Sequence, residues 1–283
     1  MSDLQALKTE YLALLDAQLD ADQRAWLATQ CRSILEASSP EDALLNASAA
    51  ARRQCGDNLL KAHASTELSL TEAARLVLIL TACTDLDGPE RDTLLKNYYR
   101  YGDEFEKATL LKNLYQLDTQ GALLQLTLQA CRVNSLLIFN AIALNNPYPA
   151  AHFPELNWNQ LVLKSAFQKL DLNAIAEFDK RRNPALSHMC LDYAEELELA
   201  DREPIPSLWR GIVLNDVDEK GCDFFARYLR HVDTAHRRGI LKSLSSQRTE
   251  SQQALIALQP ELSEGLQRED DADCRALLTT LLK

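Results

Sequence analysis

The chain reads as all-α, and three observations carry that reading. Leucine and alanine recur at i, i+3, i+4 and i+7 from one end to the other, no segment sustains the apolar/polar alternation of a strand, and only eight glycines punctuate 283 residues. Candidate helix N-caps are frequent, and from Ser69 onward they arrive roughly every 16 residues, the spacing of short antiparallel helices in helix-pair repeats. The expected architecture is an α-solenoid of short antiparallel helix pairs, HEAT- or armadillo-like. No fixed motif aligns from one unit to the next, so a single helical bundle is the competing arrangement, and the brevity of the helices favours the repeat. No Ser/Gly-rich linker interrupts the sequence, and residues 1–283 are expected to form one helical domain.

In chain order, the opening "MSDLQALKTEYLALLDAQL" alternates charge with leucine at helical spacing and lacks the basic start and unbroken apolar stretch of a signal peptide. Ser39 ahead of Pro40 and Asp42, Ser69 with Glu72, Asp87 before Gly88-Pro89, Asp103 with Glu106, Asp118 and Asn134 are then expected to start helices. In "NNPYPAAHFPELNWNQ", Pro147, Pro149 and Pro154 each lack a donor and push the preceding residue toward extended geometry, so a loop is expected. Helix is expected to restart at Asn157, capped with Gln160, along a stripe of Trp158, Leu161, Val162 and Ser165. A further helix should begin with Asn183 as N-cap and Pro184 at its first position, burying Leu186, Met189, Cys190, Tyr193 and Leu197. Helices resume through "LWRGIVL" at 208–214 and "CDFFARYLRHV" at 222–232, with Pro260 and Gly265 punctuating the end.

Charge and composition exclude whole classes of function. With 30 Lys+Arg against 41 Asp+Glu, a net charge of -11 repels phosphate backbones and anionic lipid, and basic pairs such as Arg52-Arg53 and Arg237-Arg238 are too isolated to offset it. Nucleic-acid binding is therefore not expected. The apolar runs "LVLILTAC" and "SLLIFNAIAL" fall well short of the ~20 residues that span a bilayer, so the chain should not cross a membrane. Seven scattered cysteines without a C-x-x-C pair read as free thiols in a reducing compartment, which points to the cytoplasm. His63, His231 and His236 sit in polar helical surroundings and read as surface residues, and His188 with Asp192 as an exposed i, i+4 pair, so no metal is expected. Neither a nucleophile motif nor a Gly-rich phosphate loop is present, and Asp270-Asp271 lacks an aromatic aspartate-rich context; no cofactor or catalytic residue is assigned.

The residues that stand apart are those of the two Pro-broken stretches. Tyr148, Phe153, Trp158 and Trp209 offer apolar walls, while His152, Lys164, Arg181 and Arg182 offer polar anchors for a hydrophobic, anionic metabolite. An aromatic, Pro-rich loop of this kind either lines a pocket or plugs the core beneath its own helices.

"NPYPAAHFPELNWNQLVLKSAF", then "FDKRRNPALSHMCLDYAEE", then "PSLWRGI" together resemble the EboA-domain family. The pattern falls on Asn146, Pro147, Tyr148, His152, Phe153, Pro154, Trp158, Asn159, Gln160 and Lys164, on Asp179, Arg182, Asn183, Pro184, Leu186, Met189, Asp192 and Tyr193, and on Trp209 and Arg210. It departs at Glu196-Leu197-Glu198, where the family pattern has a basic and aromatic pair. The resemblance adds Arg210 to the candidate ligand residues and implies a bacterial protein from a gene cluster for trafficking secondary-metabolite precursors. Its implied partners are other products of that cluster, among them a membrane prenyltransferase-like protein. The expected function is a non-catalytic carrier or scaffold. The alternatives are an assembly subunit, or an enzyme on a prenylated or aromatic precursor with His152 as base and Lys164 or Arg182 as anion clamp.

Overall fold

The computed structural model describes residues 3–60, 68–249 and 251–283. It is all-helical, with no strand among the described residues beyond a single bridge between Leu59 and Ser69. His63 lies outside the described residues. The chain divides into two compact units, residues 1–153 and 154–283.

The first unit holds α1 (Asp3–Asp16), α2 (Ala21–Glu36), α3 (Pro40–Cys55), α4 (Leu70–Ala82), α5 (Gly88–Tyr101), α6 (Glu104–Leu117), α7 (Leu124–Ala130), α8 (Leu136–Ala143) and α9 (Tyr148–His152). Its centre is α4, whose residues apart from Glu72 are all buried, with α1, α2, α3 and α6 packed around it. Such a helix is hydrophobic on every face because it meets neighbours on every face. Capping boxes at Ser69, Asp87 and Asp103, and the Ser39 cap ahead of Pro40, sit where the sequence placed them.

Three expectations in this unit need correction. Asp118 does not start a helix; it closes α6, and its carboxylate accepts the Ala122 and Leu123 N–H groups at 3.0 and 2.8 Å. The cap of α8 is Ser135, one residue beyond Asn134. The Pro-rich stretch is not all loop. Pro147 stands at the N-cap and Pro149 in the first turn of α9, where helix N–H groups have no intrahelical acceptor and a missing donor costs nothing.

The second unit holds α10 (Glu155–Phe167), α11 (Pro184–Leu199), α12 (Glu219–Tyr228), α13 (Thr234–Ser246), α14 (Gln252–Ala257), α15 (Gln259–Arg268) and α16 (Ala272–Leu281). Between α10 and α12 lie short 3₁₀ turns at Leu172–Ala174, Phe178–Arg181, Pro206–Gly211 and Leu214–Asp216. Helix α10 starts at Glu155, with Pro154 at the N-cap position, so Asn157 is already helical; the expected stripe of Trp158, Leu161, Val162 and Ser165 is buried. Asn183 caps α11 as expected, accepting from Leu186 N at 2.9 Å, but Met189 and Tyr193 are half-buried while Ser187, Leu191 and Ala194 complete the core face. "LWRGIVL" forms a 3₁₀ turn running into extended backbone, and it packs into α13.

Two hydrogen-bond networks fix these irregular segments. The Gln247 amide spans the chain: Oε1 accepts from Leu214 N and Ser251 Oγ, while Nε2 donates to Ile212 O and to Ser243 Oγ. Ser187 Oγ donates to Asp216 and accepts from Val213 N. Buried backbone without helix partners must find side-chain partners instead, and these residues supply them.

Candidate functional site

The candidate residues fall in both compact units. In the first, Tyr148 is fully enclosed, and its hydroxyl donates to Asp118 Oδ2 at 2.7 Å. Burial and that carboxylate raise the phenol well above its ordinary pKa, so it remains a neutral donor. Asn146, also buried, donates through Nδ2 to Leu111 O and Ala141 O and accepts Tyr148 N, which pins the chain entering α9. The His152 ring lies 4.5 Å from that of Tyr148 and against Gly121, where φ is +76° and an added Cβ would stand 2.8 Å from Nδ1. His152 Nε2 is enclosed and has no hydrogen-bond partner among the described residues. Phe153 is buried.

In the second unit a ladder of aromatic and cationic groups connects the two Pro-broken helix starts. Arg181 lies over the Trp158 ring at 5.1 Å, Trp158 meets Phe178 edge to face at 6.1 Å, and Arg210 covers the other side of this ladder, 4.8 Å from the Phe178 centroid. Partial burial lowers the Arg181 pKa from its ordinary value, leaving it a cation at neutral pH. Asn159 and Asn183 exchange amide hydrogen bonds of 3.1 and 2.9 Å across α10 and α11. Arg182 donates to Ser246 Oγ and Ser246 O, and Lys164 is half-buried on α10. Trp209 is fully buried, 4.4 Å from Tyr228, and its indole donates to His236 Nδ1. His236 is 2% exposed, which corrects its reading as a surface residue: the polar neighbours in sequence point away from a ring that faces Trp209.

A cleft of about 540 Å³ opens between the 3₁₀ turn Pro206–Gly211 and α13. One face of α13 lines it through Ala235, Arg238, Gly239, Lys242, Ser243 and Ser246; the other wall carries Ile205, Pro206, Ser207 and Arg210, and Lys169, Leu170, Asp171, Asn173 and Asp179 complete the lining. Arg210 forms a bidentate pair with Asp179, both bonds 3.0 Å, and its remaining nitrogen donates to Leu172 O and Asn173 O. Arg238 is held by Asp271 at 2.9 Å. Lys169 and Lys242 are exposed and have no ion pair among the described residues. Four cations and two carboxylates line this cleft; with Arg210 paired to Asp179 and Arg238 to Asp271 and Asp273, the cations it offers a ligand are Lys169 and Lys242.

A larger cavity of about 710 Å³ in the first unit is electrostatically different. It is lined by the C-terminal ends of α4 and α6, by Asp85 and Asp87, and by one cation, Arg91. Helix C-termini carry partial negative charge, so this cavity disfavours anions. Among the described residues no cluster of His, Cys, Asp and Glu is arranged to hold a metal. The Cys190 thiol, fully buried, is pushed up to about 12, and Cys83 likewise, so neither is a thiolate nucleophile at neutral pH.

Of the residues predicted from sequence, Arg210 lines the cleft, Arg181 and Trp158 meet in the ladder beside Phe178, and Tyr148 and His152 meet in the first unit. Sequence reasoning missed Lys169, Arg238 and Lys242, because the cleft is assembled from segments far apart in the chain and no spacing rule joins them. The nearest signal was the run Ala235, Arg238, Gly239, Lys242, one face of a helix with small residues between cations. No described helix is long and apolar enough to cross a membrane. Comparison with known proteins gives one family: the model of "Metabolite traffic protein EboA" matches residues 8–213. No curated protein and no solved structure matches the chain.

Proposed function

The chain belongs to the EboA family of metabolite traffic proteins, and we propose that in this role it is a non-catalytic carrier whose cleft beside α13 receives an anionic, partly apolar metabolite. The observation that supports this reading is the pair of exposed lysines without ion pairs among the described residues, Lys169 and Lys242, beside the apolar lining residues Leu170, Ile205, Pro206 and Ala235. In this reading the polar anchors are Lys169 and Lys242; of the arginines expected from sequence, Arg210 is paired with Asp179, Arg182 donates to Ser246, and Arg181 lies over Trp158. Trp158, Trp209, Tyr148 and Phe153 serve as the packed support of their segments. Delivery of the metabolite to or from other products of the gene cluster, including a membrane prenyltransferase-like protein, follows as the partner expectation, with the cytoplasm as its compartment. The two compact units are proposed to act as one domain, and a single cooperative melt seen alike by fluorescence and calorimetry is the expected result.

The test is native mass spectrometry of the protein isolated gently from its own host. A retained small anion that is lost in Lys242→Glu supports the carrier. A retained protein and no small mass would replace the carrier with a scaffold. In titrations with sodium octanesulfonate, whose charge is constant between pH 5 and 8, Lys242→Glu is expected to weaken binding about tenfold, from one reversed charge at the rim. Raising the salt concentration should weaken binding to the unsubstituted protein as well. Binding that is indifferent to both the substitution and salt would remove the electrostatic basis of the proposal.

A further inference from the structure

Behind the wall of the cleft lies a cluster of titratable groups that ligand binding does not itself use. The His231 and His236 ring centroids are 4.6 Å apart. His231 Nδ1 accepts the Asp233 backbone N–H at 3.1 Å, and His236 Nδ1 accepts the Trp209 indole N–H at 3.4 Å. With both Nδ1 atoms acting as acceptors, both rings are neutral and carry their protons on Nε2. Both Nε2 atoms turn to one carboxylate, Glu203, at 3.4 and 3.7 Å. Tyr228 stacks on His231 at 5.2 Å and tilts against His236 at 5.1 Å.

This cluster spans the seam that builds the cleft. Trp209 belongs to the 3₁₀ turn whose Pro206 and Arg210 form one wall, and His236 belongs to α13, whose Gly239 and Lys242 form the other. The Trp209 carbonyl accepts from Ser243 Oγ at 2.7 Å, a second bond across the same seam. A proton taken from solvent by His236 Nδ1 turns an acceptor into a donor. Two N–H groups then face each other, and the contact becomes repulsive. The buried indole has no free space to turn into, so the strain falls on the turn that carries it.

Each group facing the imidazoles has a definite effect. Glu203 and Asp233 favour the charged form of His236, while burial and His231 oppose it, and the net result holds His236 below its ordinary pKa. Tyr228, whose phenol is raised by burial and by its bond to Glu198, stays neutral. Arg237 donates to His231 O, and its charge is paired with Glu269 at 2.8 and 2.9 Å. The sign of the linkage follows: the unfolded chain takes up the proton at higher pH than the folded chain. Stability is intact above the unfolded pKa and declines as the pH falls through about 6.5.

We propose that His231, His236 and Glu203 form a proton-operated latch on the cleft wall, closed when both imidazoles are neutral and opened when His236 is protonated. Acidification then releases the anionic ligand. This rests on the cleft being the ligand site, and the experiment separates the two ideas. NMR of the whole protein should show the Trp209 indole N–H and the His236 imidazole resonances moving together between pH 7.5 and 5.5, while the affinity for octanesulfonate falls severalfold, short of the about tenfold that one proton taken up at the ordinary imidazole pKa would give over that range. His236→Asn, which keeps an oxygen acceptor for the indole but does not titrate, should flatten both profiles. An indole signal that does not move with His236 overturns the latch. Joint movement with unchanged or tighter binding at pH 5.5 overturns its coupling to the cleft. Absence of octanesulfonate binding at pH 7.5 removes the cleft reading, and with it the release function, whatever the indole does.

Discussion

Asp118→Ala is expected to destabilise the first unit by about 3 to 5 kcal/mol, the range for breaking a buried, charge-assisted hydrogen-bond network. The residue is 3% exposed, and its two oxygens accept three donors: the backbone N–H groups of Ala122 and Leu123 and the hydroxyl of Tyr148. Removing the carboxylate leaves all three donors without an acceptor in a site from which water is excluded. Asn146 still pins the entry to α9. Tyr148→Phe should cost less, about 1 to 2 kcal/mol, because it removes one donor and leaves the carboxylate satisfied by two. Denaturant midpoints of both variants and of the double mutant measure the coupling. If Asp118→Ala melts like the unsubstituted protein, Asp118 is not what joins α6 to α9.

The contrast between these residues and their sequence reading shows where local pattern runs out. A capping box is legible because cap and partner stand three residues apart, as in Ser69 with Glu72 and Asp103 with Glu106, and the Asp87 cap is legible from the Gly88-Pro89 behind it. Asp118 has Gly121 three residues on where those boxes have Glu, and its carboxylate faces a tyrosine thirty positions on, while the chain after it turns before it coils. Prolines failed as loop markers for the opposite reason: at a helix start the missing N–H has no partner to lose, so α9 forms across Pro147 and Pro149. The all-helical class and the buried stripe of α10 were thus readable, as were the two irregular stretches. The cleft was not. Its cations become neighbours only through the packing of α13 onto the 3₁₀ turn, while Arg210 and Arg182, which looked like ligand anchors, are bonded to Asp179 and Ser246.

That packing is tight enough to make Gly239 the position where a single methyl group should do the most harm in the second unit. A Cβ there would stand 2.3 Å from Pro206 O, 3.1 Å from the Pro206 carbonyl carbon and 3.3 Å from Trp209 Cδ1. The first two are backbone atoms of the opposing wall, so no side-chain rotation relieves the clash. In an open helix, Gly→Ala stabilises by about 1 kcal/mol; overpacking costs about 1 to 3 kcal/mol or more, and here the obstacle is main chain, so the cost should exceed the gain by about 2 kcal/mol. The sign of the change therefore reports the rigidity of the seam. A lowered melting temperature together with weakened octanesulfonate binding is the expected result, because the methyl group must push apart the two walls that hold Arg210 and Lys242. A raised melting temperature would mean that the turn yields freely. In that case the wall could not transmit the protonation of His236 to the cleft, and the latch would fail together with the close approach on which it depends.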